Sequence, residues 1–244
     1  MSGTAPGDAP SLSVILLAYN EIEAISAVTR ELRAWLEANV PGAELIVVDD
    51  GSTDGTGEAA ARELQGFPHT VLTHARNSGI GAAIKTGVHA SRARWVTFLP
   101  ADGQIAPEAI GTMLAARRED TEVVFTVYSD RDDGLHRKVL SWGVRALILG
   151  IHGVPMRSDG PYLFRRALFV PEQLAPDTFF LNFEFPMRVV RAQLPFETVT
   201  ISCRPRLAGQ SKSAKVSAVV KVARELLELR ARTAREALDR ALGR

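Results

Sequence analysis

The stretch "ELIVVDDGSTDGT", residues 44–56, decides how this chain folds. It starts as an unbroken apolar run, Leu45 to Val48, and turns polar at Asp49-Asp50. A strand that is apolar at every position has no face for water, which is the habit of strands buried on both sides of a parallel sheet. Gly51 and Ser52 are turn formers, and Asp54 stands where a helix running to Gln65 needs a cap. Strand, acidic turn and helix together open a βαβ unit.

The same sentence repeats on either side. Ser13 to Leu17 is a second apolar strand, and Glu23 to Ala38 carries Ile25, Val28, Leu32, Trp35 and Leu36 at helical spacing. Strands follow at Thr70–Thr73, Trp95–Leu99 and Glu122–Val127, with helices at Ile80–Ala90 and Pro107–Arg117 between them. The alternation predicts an α/β fold with a mostly parallel sheet flanked by helices. Ligands of such sheets sit beyond the carboxyl ends of the strands. Three polar clusters fall there: Tyr19-Asn20-Glu21, Asp49-Asp50-Gly51-Ser52 and Asp102-Gly103-Gln104.

Beyond residue 135 the pattern changes. His136–Ile151 and Phe180–Ala192 read as helices, and Glu197–Cys203 as a strand. Ser213–Leu242 reads as a long amphipathic helix, with Val216, Val219, Val220, Ala223, Leu226, Leu227, Ala234 and Leu238 on its apolar stripe. The expected organisation is a polar tail at 1–10, one domain at 11–212 and a C-terminal helical extension at 213–244.

Composition narrows the function. The 29 basic and 28 acidic residues leave a net charge of +1, which disfavours a general nucleic-acid binder. Acidic residues concentrate in the first half and basic ones in the second. Cys203 is the single cysteine, so no disulfide framework or thiolate metal site exists and a reducing, cytoplasmic setting is expected. The first ten residues lack the pattern of a signal peptide, and no apolar stretch reaches the roughly 18–20 residues a bilayer span needs. His69, His74, His89, His136 and His152 show no metal-ligand spacing.

Five segments, in this order, carry a resemblance: "VILLAYNEIEAI", "ELIVVDDGSTDGT", "RNSGIGAAIKTGV", "FLPADGQIAPEAI" and "RPRLAGQSKS". Between residues 12 and 215 the chain resembles family 2 glycosyltransferases of GT-A (Rossmann-like) fold, and above all the polyprenyl-phosphate (dolichyl-phosphate) sugar synthases. The resemblance implies a nucleotide-sugar donor, a GDP- or UDP-sugar, and transfer to a polyprenyl phosphate. Ala18, Tyr19, Asn20 and Glu21 would line the nucleotide pocket with Asp49, Asp50 and Ser52. Carboxylates at a strand end suit a base N–H and ribose hydroxyls. Asn77 to Gly81 opens a helix carrying Lys85, where Gly79 would let backbone approach phosphate and Lys85 would add charge.

The family's Asp-Ala-Asp is Pro100-Ala101-Asp102 here. Asp102 and Gln104 are the expected ligands of Mg2+ or Mn2+, both reaching one ion if the chain between them is extended. Arg206, Gly209, Ser211 and Lys212 match the family's closing loop, whose cations would neutralise the departing diphosphate. Arg137 and Ser141, one helical turn apart, match residues that hold the acceptor phosphate. Arg131 would replace an arginine missing at Thr126-Val127-Tyr128, and Met156 to Gly160 also departs from the family pattern. The basic, apolar helices at 136–151 and 213–242 suit the surface of a membrane, a peripheral seat on its inner face, or a homodimer. Two alternatives stay open: the same chemistry on a soluble acceptor, and a silent nucleotide-sugar binder.

Overall fold

A computed structural model describes residues 9–129, 135–156, 158–174, 177–207 and 216–241, without the side chains of 135–142, 216–222 and 236–241. Seven strands form one sheet: β1 Ser13–Ala18, β2 Glu44–Asp49, β3 His69–Thr73, β4 Trp95–Pro100, β5 Val123–Tyr128, β6 Leu163–Arg165 and β7 Phe196–Ile201. Their order is β3-β2-β1-β4-β6-β5-β7. All pairings are parallel except those of β6, which runs antiparallel to β4 and β5. The expected mostly parallel α/β sheet is present.

The uniformly apolar runs are explained by cover on both faces. Val14, Leu16, Leu45 and Val47 face α1 (Ile22–Asn39), α2 (Thr56–Glu63) and α4 (Glu108–Ala115). Ile15, Leu17, Ile46 and Val48 face α3 (Ile80–Ala90) and α6 (Leu181–Arg191). Successive residues thus feed two separate cores, as the period of a strand requires. A third, smaller core joins Val144 and Ile148 of α5 (Leu135–His152) to Met187 of α6 and to Leu226 and Leu229 of α7 (Val216–Ala241).

β6 has no counterpart in the sequence reading. Three residues show no period, so only pairing with β4 and β5 reveals them as a strand. β6 also explains Pro100. It pairs with β4 only at Trp95 to Thr97, so the last residues of β4 have a neighbour on the β1 side alone. Proline, which cannot donate to a ladder, is tolerated where one side is unpaired.

Candidate active site

The parallel register brings the ends of three strands level: Ala18 lies opposite Asp49, and Leu17 opposite Pro100. Segments 19–21, 50–52 and 101–104 therefore leave the sheet at one edge. The first two are stitched together. The Asn20 N–H donates to Ser52 Oγ at 2.8 Å, and Thr53 N–H to Asn20 Oδ1 at 3.0 Å. The Glu21 N–H donates to Thr56 Oγ1 at 2.9 Å.

Asp54 joins two helix starts, accepting from Ile22 N–H at 3.2 Å and from Thr56 N–H at 3.0 Å. The cap position itself belongs to Gly55, one residue later than the sequence predicts. Burial works against the Asp54 charge, but hydrogen bonds from Thr56 and Ile22 outweigh it and hold the carboxyl below its ordinary range.

Asp49 and Asp50 are both buried. Asp49 Oδ1 accepts from Ser52 N–H at 2.9 Å. Asp50 accepts from the Ser78 and Gly79 N–H groups, each at 2.8 Å, and its Oδ1 lies 2.7 Å from His74 Nδ1. The other ring nitrogen of His74 meets Thr86 Oγ1 at 2.9 Å. A carboxylate offers about four acceptor positions, and Asp50 spends most of them on the chain itself. It ties the turn before α3 to the end of β2, beside whatever ligand contact it makes. His74 has no metal-ligand spacing in the sequence; its signal is its place, directly after β3.

The sequence predicts glycines that admit a phosphate at the start of α3. The structure uses them to admit the chain. A Cβ on Gly79 would lie 2.6 Å from the Asp177 carbonyl oxygen, and one on Gly81 2.6 Å from that of Thr178. The Ala82 N–H donates to the Asp177 carbonyl at 3.1 Å, and Lys85 Nζ sits 2.8 Å from the Asp177 carboxylate.

Asp102, buried at 7% exposure, meets Arg206 Nη2 at 3.1 Å through Oδ2. The other nitrogen of the fork, Nη1, lies 4.0 Å from Glu21 Oε1. Ala101, just before, is fully packed in the core under α1 and α4. The chain from Asp102 to Gln104 is turned rather than extended: Gly103 has φ 71°, and Gln104 N–H donates back to Asp102 Oδ1 at 3.0 Å. The condition that both side chains reach one ion along an extended chain is therefore not met. Among the described residues no three carboxylate, His or Cys groups gather around one point. The donor set still fits a hard divalent cation, because Asp102, Glu21 and the Gln104 carboxamide offer oxygen, and such ions take much of their shell from phosphate and water. A cation held by Asp102 would compete with Arg206 for that carboxylate.

The segment after β7 lies on this turn. Arg204 N–H donates to the Gln104 carbonyl at 2.9 Å and Leu207 N–H to the Asp102 carbonyl at 3.2 Å. Arg204 Nε reaches the Gly103 carbonyl at 2.5 Å, while its fork grips Glu31 of α1 at 2.8 and 2.5 Å. The Arg204 hydrogen bond holds the Glu31 carboxyl below its ordinary value, and Glu31 raises Arg204 in return. The sequence reading missed both residues.

Arg131, expected on the acceptor side, and Gly209, Ser211 and Lys212 of the expected closing loop lie outside the described residues. Arg137 and Ser141 fall one turn apart on α5, but their side chains are outside the description. Nearby, Asp159 forms an ion pair with Arg145, and Thr126 Oγ1 donates to the Pro161 carbonyl at 2.6 Å.

Three parallel strands that end level in acidic turns make the carboxyl edge of a Rossmann-like, GT-A type sheet. The model of Glycosyl transferase family 2 matches residues 13–172, and the chain belongs to that family. Among curated relatives it is similar to the undecaprenyl-phosphate 4-deoxy-4-formamido-L-arabinose transferase of Salmonella paratyphi A. Identity is 33% over 162 residues, 64% of this chain and 49% of that protein. It is also similar to the dodecaprenyl-phosphate galacturonate synthase of Rhizobium johnstonii, at 30% identity over 159 residues, 64% of this chain and 47% of that one. The chain thus spans about half the length of the curated relatives it matches. Among solved structures it resembles glucosyl-3-phosphoglycerate synthase from Mycobacterium tuberculosis, solved with Mn2+, UDP and glucosyl-3-phosphoglycerate. That match has a TM-score of 0.67 at 19% identity and covers 93% of this chain and 84% of the other, a likeness of fold.

Proposed function

We propose that this chain moves a sugar from a nucleoside-diphosphate donor to a polyprenyl phosphate, assisted by Mg2+ or Mn2+. The observation that carries the reading is Arg206, seated between Asp102 and Glu21 where β1, β2 and β4 end together. A guanidinium at that edge is placed to turn from the carboxylates to an incoming anionic diphosphate. The polyprenyl-phosphate chemistry in the names of the curated relatives supports the acceptor.

In this reading the 19–21 and 49–52 segments hold the nucleoside. Asp102 and, on rearrangement of the 102–104 turn, Gln104 would hold the metal, whose charge would stabilise the leaving diphosphate. An acceptor phosphate oxygen attacks the sugar C1, the bond from C1 to the diphosphate breaks, and the nucleoside diphosphate departs. A phosphate monoester is already anionic, so positioning replaces a strong base. Arg206 and Lys212 neutralise the leaving group, while Arg131, Arg137 and Ser141 hold the acceptor phosphate. Among the described residues no helix is long and apolar enough to cross a membrane. A polyprenyl phosphate would be met at a membrane surface, where the basic residues in the 136–151 and 213–242 sequences favour anionic lipid.

The test is a panel of UDP- and GDP-sugars, with and without polyprenyl phosphate, with and without chelator. The expected result is chelator-sensitive release of nucleoside diphosphate and a sugar product extractable into organic solvent. Release with a water-soluble product moves the acceptor to a soluble compound. Nucleotide-sugar binding without release under every condition makes the chain a silent binder and overturns the proposal.

A further inference from the structure

We infer that Arg204 is a positioning residue: it latches the strap at 202–207 to α1 and to the 102–104 turn, and so sets Arg206 against Asp102 and Glu21. This rests on the catalytic reading of Arg206 given above. Four contacts converge on the latch. The Arg204 backbone N–H holds the Gln104 carbonyl at 2.9 Å, and the side-chain Nε holds the Gly103 carbonyl at 2.5 Å. The guanidinium fork takes both oxygens of Glu31, at 2.8 and 2.5 Å. Three residues along, the Leu207 N–H holds the Asp102 carbonyl at 3.2 Å.

Arg206 sits between the first and last of these anchors. With Arg204 and Leu207 both bonded to the 102–104 turn, the intervening backbone has little freedom. The turn is equally constrained, since its carbonyls at 102, 103 and 104 all accept from the strap. Its own geometry helps: Gly103 has φ 71°, a conformation open to glycine, and a Cβ there would meet Leu207 at 2.7 Å. Glu31 fixes the assembly to the middle of α1, whose apolar face is locked into the core through Val28 and Leu32. The latch therefore references the catalytic arginine to a rigid helix. Only arginine has a donor for the Gly103 carbonyl and a planar fork for Glu31 at once, so lysine is not an equivalent.

Acting through Arg206 has a signature that ordinary structural support lacks. Arg204→Gln is expected to lower kcat roughly ten- to a hundredfold, the cost of about an ångström of misplacement, with a much smaller change in donor KM. In an Arg206→Gln background the same substitution is expected to have almost no further effect, because the group it positions is gone. Arg204→Lys is expected to resemble Arg204→Gln, and Glu31→Gln to fall between it and the wild type. A second measurement needs no substrate. Hydrogen exchange at the Arg204 and Leu207 amides is expected to accelerate in Arg204→Gln and to stay at the wild-type rate in Arg206→Gln. Unchanged exchange in Arg204→Gln overturns the latch. Multiplicative loss of kcat in the double variant overturns the positioning role, even if exchange rises. Wild-type protein that turns over no nucleotide sugar refutes the proposed function instead, and the exchange rates alone then decide the latch.

Discussion

The donor edge and the α5–α7 layer solve the problem of buried polar groups in different ways. At the donor edge, backbone N–H groups do much of the work for buried carboxylates: Ser52 for Asp49, Ser78 and Gly79 for Asp50, beside the side-chain partners His74 at Asp50 and Arg206 at Asp102. The backbone donors are fixed by the fold and cannot titrate. In the α5–α7 layer, buried charge is matched by charged side chains. Glu184 of α6, with no exposure, gives Oε1 to Arg188 at 2.8 Å and to Arg232 of α7 at 2.7 Å. Its Oε2, the Nε of Arg232 and the Oδ1 of Asn182 are buried without a hydrogen-bond partner among the described residues. The first arrangement holds a site still, while the second leaves electrostatic slack. The family match ends at residue 172, so the prebuilt edge lies within it and α6 and α7 lie outside.

The strongest way to break this comparison is a pair of substitutions with opposite effects. Asp102→Ala removes the carboxylate that Arg206 holds, at the edge of the site. Turnover is expected to fall on the order of a thousandfold, the scale on which losing a preorganised electrostatic partner is felt. Melting temperature is expected to move little. Glu184→Ala removes the shared partner of two arginines. Breaking a fully buried pair costs about 3–5 kcal/mol, and solvent reaching both arginines brings the expected loss to about 2–3 kcal/mol. For a chain of this size that is a drop in Tm of roughly 5–10 °C. Binding of UDP with Mn2+ is expected to stay within about twofold, since one destabilised layer leaves a distant site intact while the protein is folded. Calorimetry and thermal melts read both variants. A Glu184→Ala protein that melts normally but loses nucleotide would erase the distinction between the two regions.

Much of the donor edge was legible in the sequence because it is written locally. Uniform apolarity marked β1, β2 and β4 as buried on both faces, and the polar residues after each run marked the edge. What stayed hidden depends on long separations or on identity without period. The Arg204–Glu31 pair spans 173 positions. Asp50 reads as a ligand group alone, and its second task, tying Ser78, Gly79 and His74 to the end of β2, shows only in three dimensions. Gly79 and Gly81 do mark a close approach, as glycines in a turn suggest, and in the structure residues 177–178 make one. A glycine reports that something comes near and says nothing about what it is.

A smaller effect distinguishes the regions by pH. His152, buried at the end of α5, has Nε2 3.0 Å from the Leu226 carbonyl and Nδ1 2.6 Å from Arg191 Nη2. Only the neutral ring satisfies both, with Nε2–H donating and Nδ1 accepting. Burial lowers its pKa from the ordinary 6.5; the Leu226 carbonyl pulls the other way, and Arg191 and Arg230 add to the lowering against Glu184. Because the folded pKa is depressed, the unfolded chain binds more protons near pH 6.5. The stabilisation is complete above that pH and is lost as pH falls through 6.5 toward the folded value. Thermal melts from pH 8 to pH 5.5 are expected to show a steeper decline for wild type than for His152→Gln. Parallel curves would show that this histidine is not what makes the layer sensitive to acid.

The smallest expected effect falls where the two regions meet. Tyr162, just before β6, is fully buried among Phe98 of β4, Phe125 of β5 and Phe185 of α6. Its ring packs edge-on against Phe98 at 4.8 Å and stacks on Phe185 at 5.2 Å. The hydroxyl has no hydrogen-bond partner among the described residues, and burial pushes its pKa well upward. A buried donor left unsatisfied costs about 1–3 kcal/mol, and removing it recovers part of that cost. Phenylalanine keeps every ring contact. Tyr162→Phe is therefore expected to be neutral or to stabilise by about 0.5–1 kcal/mol, a rise in Tm of up to roughly 4 °C, with turnover unchanged. A loss of stability would mean that the hydroxyl is satisfied by a buried water, which needs polar partners of its own. The junction between the regions would then be polar in the manner of the α5–α7 layer. A gain makes it a purely aromatic seam, with the charge-matched layer beginning only beyond Phe185.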